Sequence, residues 1–354
     1  MRILHVHPIN QVAQNYMSGL SELGHTGTLY EPNLAGGNAP SPIKLAMMPG
    51  RIFHLRHVVR DLSPKQYDLA HIHWASYGVL GLVSRIPYIV HCHGSDVRER
   101  LKMPVFQLML GPVLRRASAV LCITPDLLPV VQSMRSDALF FPAPLDVSQF
   151  APPQAVVPPH PWTILLFARL EPVKGIETAI EGIERFILRH PEVRVQLIDR
   201  GSLSTEYRQR YGHRFEFLSW MPPEEVPHLL RLADVVVGQF AVGALGLAEL
   251  QAMSCARPVI ASFRYQSAYP TPPPLYQATT PEEIDVHLET IFQHQEQAQA
   301  MGERARAWVC DHHDYRVLAK KLEALYTQCL AQSAGERGPY GRRESVSQSR
   351  RVQR

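Results

Sequence analysis

The sequence predicts an α/β protein built of two Rossmann-like, doubly wound domains that face a central cleft. Three observations carry that expectation. Short, almost wholly apolar runs alternate with longer segments of helical periodicity, as the βαβ units of a parallel sheet do. A proline-rich stretch interrupts the alternation near the middle, and the pattern then restarts. The chain has 354 residues, enough for two hydrophobic cores of ordinary size.

In the first half the apolar runs place strands at 3–7, 28–30, 69–73, 88–93, 119–123 and 139–141. Between the first two, Val12, Tyr16, Leu20 and Leu23 recur at helical spacing, and Gly24 supplies a stop. Pro152, Pro153, Pro158, Pro159 and Pro161 then fall close together. They fix φ and remove backbone donors, so residues 152–161 read as a semi-rigid linker. Beyond it the spacing predicts strands at 163–168, 193–199, 215–218, 235–238 and 258–261, with helices at 176–190, 224–233 and 247–254. Two further helices, 281–309 and 315–331, close the fold. The domains are therefore expected at 1–151 and 162–332. Residues 333–354 are rich in Gly, Ser, Arg and Gln, with too little apolar surface to offset ordering entropy, and are expected to form a disordered basic tail.

Composition narrows the function. With 45% hydrophobic and 19% charged residues the chain is an ordinary globular one. Its 36 Lys+Arg against 32 Asp+Glu are too balanced for the dense basic face that nucleic acid requires. The charge is segregated, with 13 basic and 9 acidic residues in 1–160, 17 and 21 in 161–332, and 6 and 2 in the tail. Five cysteines (Cys92, Cys122, Cys255, Cys310, Cys329), with no C-x-x-C pair, argue against a disulfide framework or a thiolate metal site. The first residues are interrupted too soon by His and Pro for a secretory signal, and no window is long and apolar enough to span a bilayer. A cytoplasmic protein is expected, with any membrane contact confined to its surface.

Ligands of open parallel sheets bind at the carboxyl ends of the strands, so chemistry should follow strands. One such place is Arg169-Leu-Glu-Pro-Val-Lys174-Gly175, where a guanidinium fork, an ammonium and a helix start could hold a diphosphate; a solvated surface loop is the plain alternative. Another is Gly243-Ala244-Leu245-Gly246, which leads into a helix bearing Glu249 and Gln251. Its glycines would let backbone amides approach phosphate. His71/His73 and His91/His93 each put two imidazoles on one face of a strand. Without a carboxylate or cysteine at ligand spacing they read as cleft-lining histidines rather than a zinc site, and no metal is expected. His312-His313 reads as a helix-start feature. Arg51 to Leu62 and Arg98 to Arg116 mix cations with apolar residues; each either packs on its own sheet or lies on anionic lipid.

Taken together, Arg169 and Lys174-Gly175, then G-x-x-G-x-x-x-L-x-A-M-x-x-x-x-P-V-I, resemble the donor-binding half of the family 4 (group 1) glycosyltransferases of the GT-B fold. Arg2-Ile-Leu-His-Val, Gly24-His25-Thr26, Asp68-Leu-Ala-His71-Ile-His73-Trp74 and His91-Cys-His93-Gly94-Ser95-Asp96 are similar to that family's amino-terminal strands and H-G-x-D loop. The likeness runs over about residues 1–330. It implies a retaining, metal-independent hexosyltransferase using an NDP-sugar as substrate and no cofactor, with an acceptor domain first and a donor domain second. It further implies that Arg169 and Lys174 hold the diphosphate and assist its departure, that Gly243, Ala244, Leu245 and Gly246 lie near the donor, and that Gln251 meets the ribose. His93 would stand beside the reacting sugar, with Asp96, Asn10 and Gln11 on the acceptor side. The implied partners are a nucleotide-sugar donor and a glycan or lipid-linked acceptor, as in polysaccharide biosynthesis, with peripheral contact at an anionic membrane and no nucleic acid.

The sequence departs from the family's E-x7-E pair, carrying Gly243 and Gln251 at the two positions. Glu249 lies two residues from Gln251, on another face of the helix. The loop Pro8-Ile-Asn-Gln-Val-Ala-Gln lacks the family's glycines. These departures leave open a divergent enzyme, a non-catalytic nucleotide-sugar-binding or partner module, and a sugar-nucleotide epimerase.

Overall fold

The structure, a computed structural model, describes residues 1–32, 62–84, 86–98, 100–153 and 159–336. Most of the Arg51 to Leu62 stripe, the middle of the proline-rich linker and the tail beyond 336 lie outside the described residues.

Two six-stranded, all-parallel sheets form the molecule. The first contains β1 (Arg2–Val6), β2 (Thr26–Tyr30), β3 (Leu69–His73), β4 (Tyr88–Cys92), β5 (Ala119–Cys122) and β6 (Leu139–Phe140), in the order β2-β1-β3-β4-β5-β6. The second contains β7 (Thr163–Leu166), β8 (Arg194–Ile198), β9 (Glu216–Leu218), β10 (Val235–Val237), β11 (Val259–Ala261) and β12 (Tyr276–Gln277), in the order β12-β11-β10-β7-β8-β9. The strand order reverses beside β1 in one sheet and beside β7 in the other, and such switch points open a crevice for ligands.

Helices α1 (Val12–Glu22), α2 (Val79–Val83), α3 (Pro104–Arg116) and α4 (Leu128–Gln132) belong to the first domain. Helices α5 (Ile176–Ile187), α6 (Ser204–Tyr211), α7 (Val226–Leu232), α8 (Leu247–Ser254), α9 (Pro281–Gln293) and α10 (Gln295–His313) belong to the second. Strand residues alternate between two cores: Leu4 and Val6 pack with Ile72 and Val90 on one face, and Ile3 packs with Leu69 and Ile89 on the other. Burial on both faces is why these strands read as nearly continuous apolar runs.

The last helix, α11 (Tyr315–Glu336), departs from the expected division at residue 332. It returns to the first domain, where Leu318, Leu322, Tyr326 and Cys329 are buried with Ile3, Tyr16, Leu20 and Leu69. His25 Nε2 meets Glu323 Oε1 at 2.7 Å, and the Tyr315 hydroxyl donates to Glu22 Oε1 at 2.8 Å. The helical periodicity of α11 was evident in the sequence, but periodicity alone does not say which sheet the apolar stripe covers. The expected 281–309 helix breaks at His294 into α9 and α10, and His312-His313 close α10 rather than starting a helix. Helix α6 was missed because its sequence, STEYRQRY, is polar apart from its two tyrosines, which are its buried residues.

Residues 143–151 join the domains and are tied to the second. The Leu145 N–H donates to the His313 carbonyl at 2.7 Å, and the Arg231 guanidinium donates to the carbonyls of Gln149 and Ala151 at 3.0 and 2.8 Å.

Candidate active site

A cavity of about 670 Å³ opens where the carboxyl ends of the two sheets meet. Asn10, Trp74 and His93 reach it from the first domain; Arg169, Lys174 and Leu245 reach it from the second.

On the second domain's side the loop after β7 runs through Arg169 to a single 3-10 turn, Pro172–Lys174, and Gly175 then opens α5. Gly175 has φ +68°, and a Cβ there would lie 2.8 Å from the Ala241 nitrogen, so the close approach of two loops requires glycine. Arg169 is half-exposed on the cavity wall and donates to Glu171 Oε1 at 2.9 Å. The Lys174 ammonium donates to Gln239 Oε1 at 2.8 Å. Burial lowers the Lys174 pKa, the Glu249 carboxylate opposes that shift, and the Arg169 and Arg98 charges reinforce it. Glu249 is buried, accepting the Gln239 and Gly246 backbone N–H groups at 2.9 and 2.8 Å and so capping α8. The positive end of that helix and the two cations converge on the same wall, an arrangement suited to a diphosphate.

Of the glycine-loop residues, Ala244, Leu245 and Gly246 line the cavity, while Gly243 and Gln251 do not. Gly243 has φ +70°, and the space a Cβ would take is filled by Arg264 Nε. The Arg264 guanidinium donates to the Ala241 carbonyl and its N–H to the Gly243 carbonyl at 2.8 Å. A cation thus stands where the resembling family carries its first glutamate. A second cavity of about 260 Å³ shares Arg169, Lys174 and Gly246, and is walled by Phe167, Ile198 and Trp220, the last 63% exposed. Its apolar and aromatic walls beside two cations suit a planar base attached to phosphates.

On the first domain's side Asn10 and His93 line the cavity, whereas Gln11 and Asp96 do not. Asp96 is fully buried, its carboxylate accepting backbone N–H groups of Ala75, His93 and Gly94 at 2.8, 3.0 and 2.8 Å. It therefore shapes the loop that presents His93 instead of facing an acceptor. Gln11 precedes α1 with φ +64°, and His7 and Asn10 are also left-handed at +76° and +44°. The loop keeps a glycine-like path without glycine, at roughly 1 kcal/mol per residue.

The histidines differ most from expectation. His5, His71, His73 and His91 are fully buried, and only His93 of the two H-x-H pairs reaches the cleft. Burial pushes His5 and His91 down to about 3, and holds His71, His73 and His93 well below the ordinary histidine value, so all are neutral at pH 7. One network has a fixed polarity. The Phe141 carbonyl only accepts, so His91 donates Nε2–H to it at 3.3 Å and accepts at Nδ1 from His71 Nε2–H at 3.2 Å. His71 Nδ1 then accepts the Tyr326 O–H at 2.6 Å. At the cleft, His313 likewise donates Nδ1–H to the Ala143 carbonyl at 2.9 Å and accepts the Tyr269 O–H at 3.0 Å; burial lowers it to about 4. One nitrogen from each of His73, His91 and His93 lies within 4.8 Å of the other two, as for His5, His71 and His73. His5 in β1 and His7 just beyond it, with Arg200 and Gln239, escaped the sequence reading, in which Arg98 figured only in a basic stretch and a motif and His313 only as a helix-start feature. A third H-x-H pair, at His5 and His7, was its available signal.

The family model described as "Glycosyl transferases group 1" matches residues 148–308, and that described as "Glycosyl transferase 4-like domain" matches 9–135. Phosphatidyl-myo-inositol mannosyltransferase of Mycobacterium tuberculosis is 25% identical over 219 residues, covering 58% of this chain and 57% of that protein. D-inositol 3-phosphate glycosyltransferase of Corynebacterium efficiens is 26% identical over 149 residues, covering 39% and 35%. The chain thus matches little more than half the length of these curated relatives at most. Among solved structures, sucrose-phosphate synthase of Thermosynechococcus elongatus superposes with a TM-score of 0.72 at 18% identity, over 94% of this chain and 100% of that one. Anabaena HepE in complex with UDP-glucose gives 0.69 at 15%, over 93% and 100%. At such identities the superpositions establish the fold.

Proposed function

We propose, from the premise that the chain belongs to the group 1, family 4 glycosyltransferases and has their GT-B fold, that it moves a hexose from a nucleotide diphosphate donor to a hydroxyl of a glycan, lipid-linked or small-molecule acceptor with retention of configuration. The observation that carries this reading is the convergence of Arg169, Lys174 and the start of α8 on one cavity wall. As the glycosidic bond breaks, negative charge gathers on the departing diphosphate. Cations and N–H groups already in place stabilise that charge without rearranging. Because these two side chains supply the positive charge, the proposed transfer is metal-independent. The smaller cavity takes the base, Ala244 to Gly246 face the donor, and His93 and Asn10 border the sugar and acceptor. Gln251, off both cavity walls, has no ribose role in this reading.

Peripheral attachment of a cytoplasmic enzyme to anionic lipid is part of the proposal. Helix α3 buries Leu110, Val113 and Leu114 but leaves Leu108 81% exposed, with Met103, the residue before the helix, 53% exposed and Arg115 and Arg116 at its carboxyl end. Among the described residues no helix is long and apolar enough to cross a membrane.

The second reading, a non-catalytic nucleotide-sugar-binding module, is favoured by Arg264 standing at Gly243. Incubation with UDP- and GDP-hexoses, with and without candidate acceptors, separates the two. Release of UDP or GDP that disappears in Arg169→Ala and Lys174→Ala supports the enzyme. Stoichiometric binding with no turnover across acceptors supports the module, and conversion of the donor to an epimer without acceptor would support neither.

A further inference from the structure

Beneath the cleft runs a second histidine chain whose role the proposed transfer does not explain. His5 Nδ1 lies 3.3 Å from His73 Nε2, and His73 Nδ1 lies 3.2 Å from His93 Nε2. Both nitrogens of His73 are engaged, so a neutral His73 donates through one and accepts through the other. The protons of all three rings are therefore linked. If His73 carries Nδ1–H, His5 donates its Nδ1–H inward to it, and His93 must accept at Nε2 and hold its own proton at Nδ1. If His73 carries Nε2–H, all three rings hold their protons at Nε2.

The two ends of the chain differ. His5 Nε2 is buried and has no partner among the described residues. In the first polarity that atom is a bare lone pair; in the second it is an orphaned N–H, the rarest kind of buried polar group. At the other end, His93 Nδ1 has no protein partner among the described residues, is absent from the buried unpartnered atoms, and belongs to a ring that lines the cavity. It opens onto the ligand space.

We propose that His5 and His73 are positioning residues that hold His93 in its Nδ1–H form, so that His93 meets a ligand oxygen as a hydrogen-bond donor and not as a base. The inference rests on the reading of the cavity as a nucleotide-sugar site only for the identity of that oxygen, on a donor sugar or phosphate. It adds a direction to His93: with Nδ1 already protonated and Nε2 engaged by His73, the ring has no free lone pair on the cleft side with which to take a proton from an acceptor hydroxyl.

Nitrogen-15 spectra of the full chain test this, with resonances assigned through His5→Phe, His73→Phe and His93→Phe. In the free protein His5, His73 and His93 should all be Nδ1–H, and should stay so with saturating UDP-glucose. An Nε2–H or doubly protonated form at His73 or His93 would overturn the proposal, as would stoichiometric zinc or nickel in the purified protein, since a metal takes the lone pair that links the rings. His73→Gln, whose amide can donate to His93 Nε2, should retain kcat/KM within about threefold, whereas His73→Phe should lower it about 10- to 100-fold in protein that remains folded at the assay temperature. Equal losses in the two variants would also overturn it. Absence of any nucleotide binding to wild type would remove the functional reading, while the tautomers of the free protein would still decide the chain.

Discussion

Lys174 and Glu249 are joined through a single residue: the Lys174 ammonium donates to Gln239 Oε1 at 2.8 Å, and the backbone N–H of the same Gln239 donates to Glu249 Oε1 at 2.9 Å. The carboxylate at the foot of α8 thus holds both the helix start and the side chain that anchors the phosphate-facing cation. Glu249→Gln leaves one of its two backbone donors facing an amide NH₂. A loss of about 1–3 kcal/mol in unfolding free energy is expected, measured by urea titration. Stability equal to wild type would show that the cap contributes nothing.

The buried setting of Lys174 sets a pH dependence. Its pKa lies below the ordinary 10.5, with burial as the largest cause, so the charge is lost as pH rises through a lower value than for a free lysine. Nucleotide affinity should fall along an alkaline limb that begins below 10.5. A base whose pKa is depressed on folding is destabilising while protonated, so its titration raises stability with pH and the limb is not unfolding. Lys174→Arg keeps its charge and should abolish the limb, as titration calorimetry across pH would show.

Gly243 is held by geometry as well as by space. Gly243→Glu forces a side chain into a left-handed residue and onto Arg264, so the substitution should lower the melting temperature by several degrees and leave transfer no higher than wild type. Gly243→Glu combined with Arg264→Ala relieves the clash. A rise in turnover in the single variant would show that the loop can accept the family's glutamate after all.

The exposed face of α3 around Leu108 gives a membrane test. Leu108→Glu should reduce co-sedimentation with phosphatidylglycerol vesicles at least threefold without altering UDP binding, and high salt should weaken the wild type in the same assay. Equal sedimentation of variant and wild type would exclude α3 as the contact.

The inner strands of both sheets were legible in the sequence because they are buried on both faces, whereas β12, two partly exposed residues at the edge of the second sheet, was missed; Arg169 and Lys174 stood out because they follow a strand end and precede a helix-opening glycine. What escaped depended on distant contacts. Asp96 carried the right motif, but its three backbone partners come from two separate loops, and only the fold turns its carboxylate away from the cleft. The destination of α11 is set by the face of β1 and β3 that α1 leaves uncovered. The linkage of His5, His73 and His93 depends on the register that brings β1, β3 and β4 side by side, which no spacing along the chain reports.

The central claim, that Arg169 and Lys174 form a nucleotide diphosphate site, is tested most directly by titration calorimetry of UDP and GDP into wild type, Arg169→Ala and Lys174→Ala. One nucleotide should bind wild type at a 1:1 ratio, and each variant should weaken that binding at least about tenfold while remaining folded. Absence of binding of either nucleotide to wild type, or equal affinity in all three proteins, would contradict it.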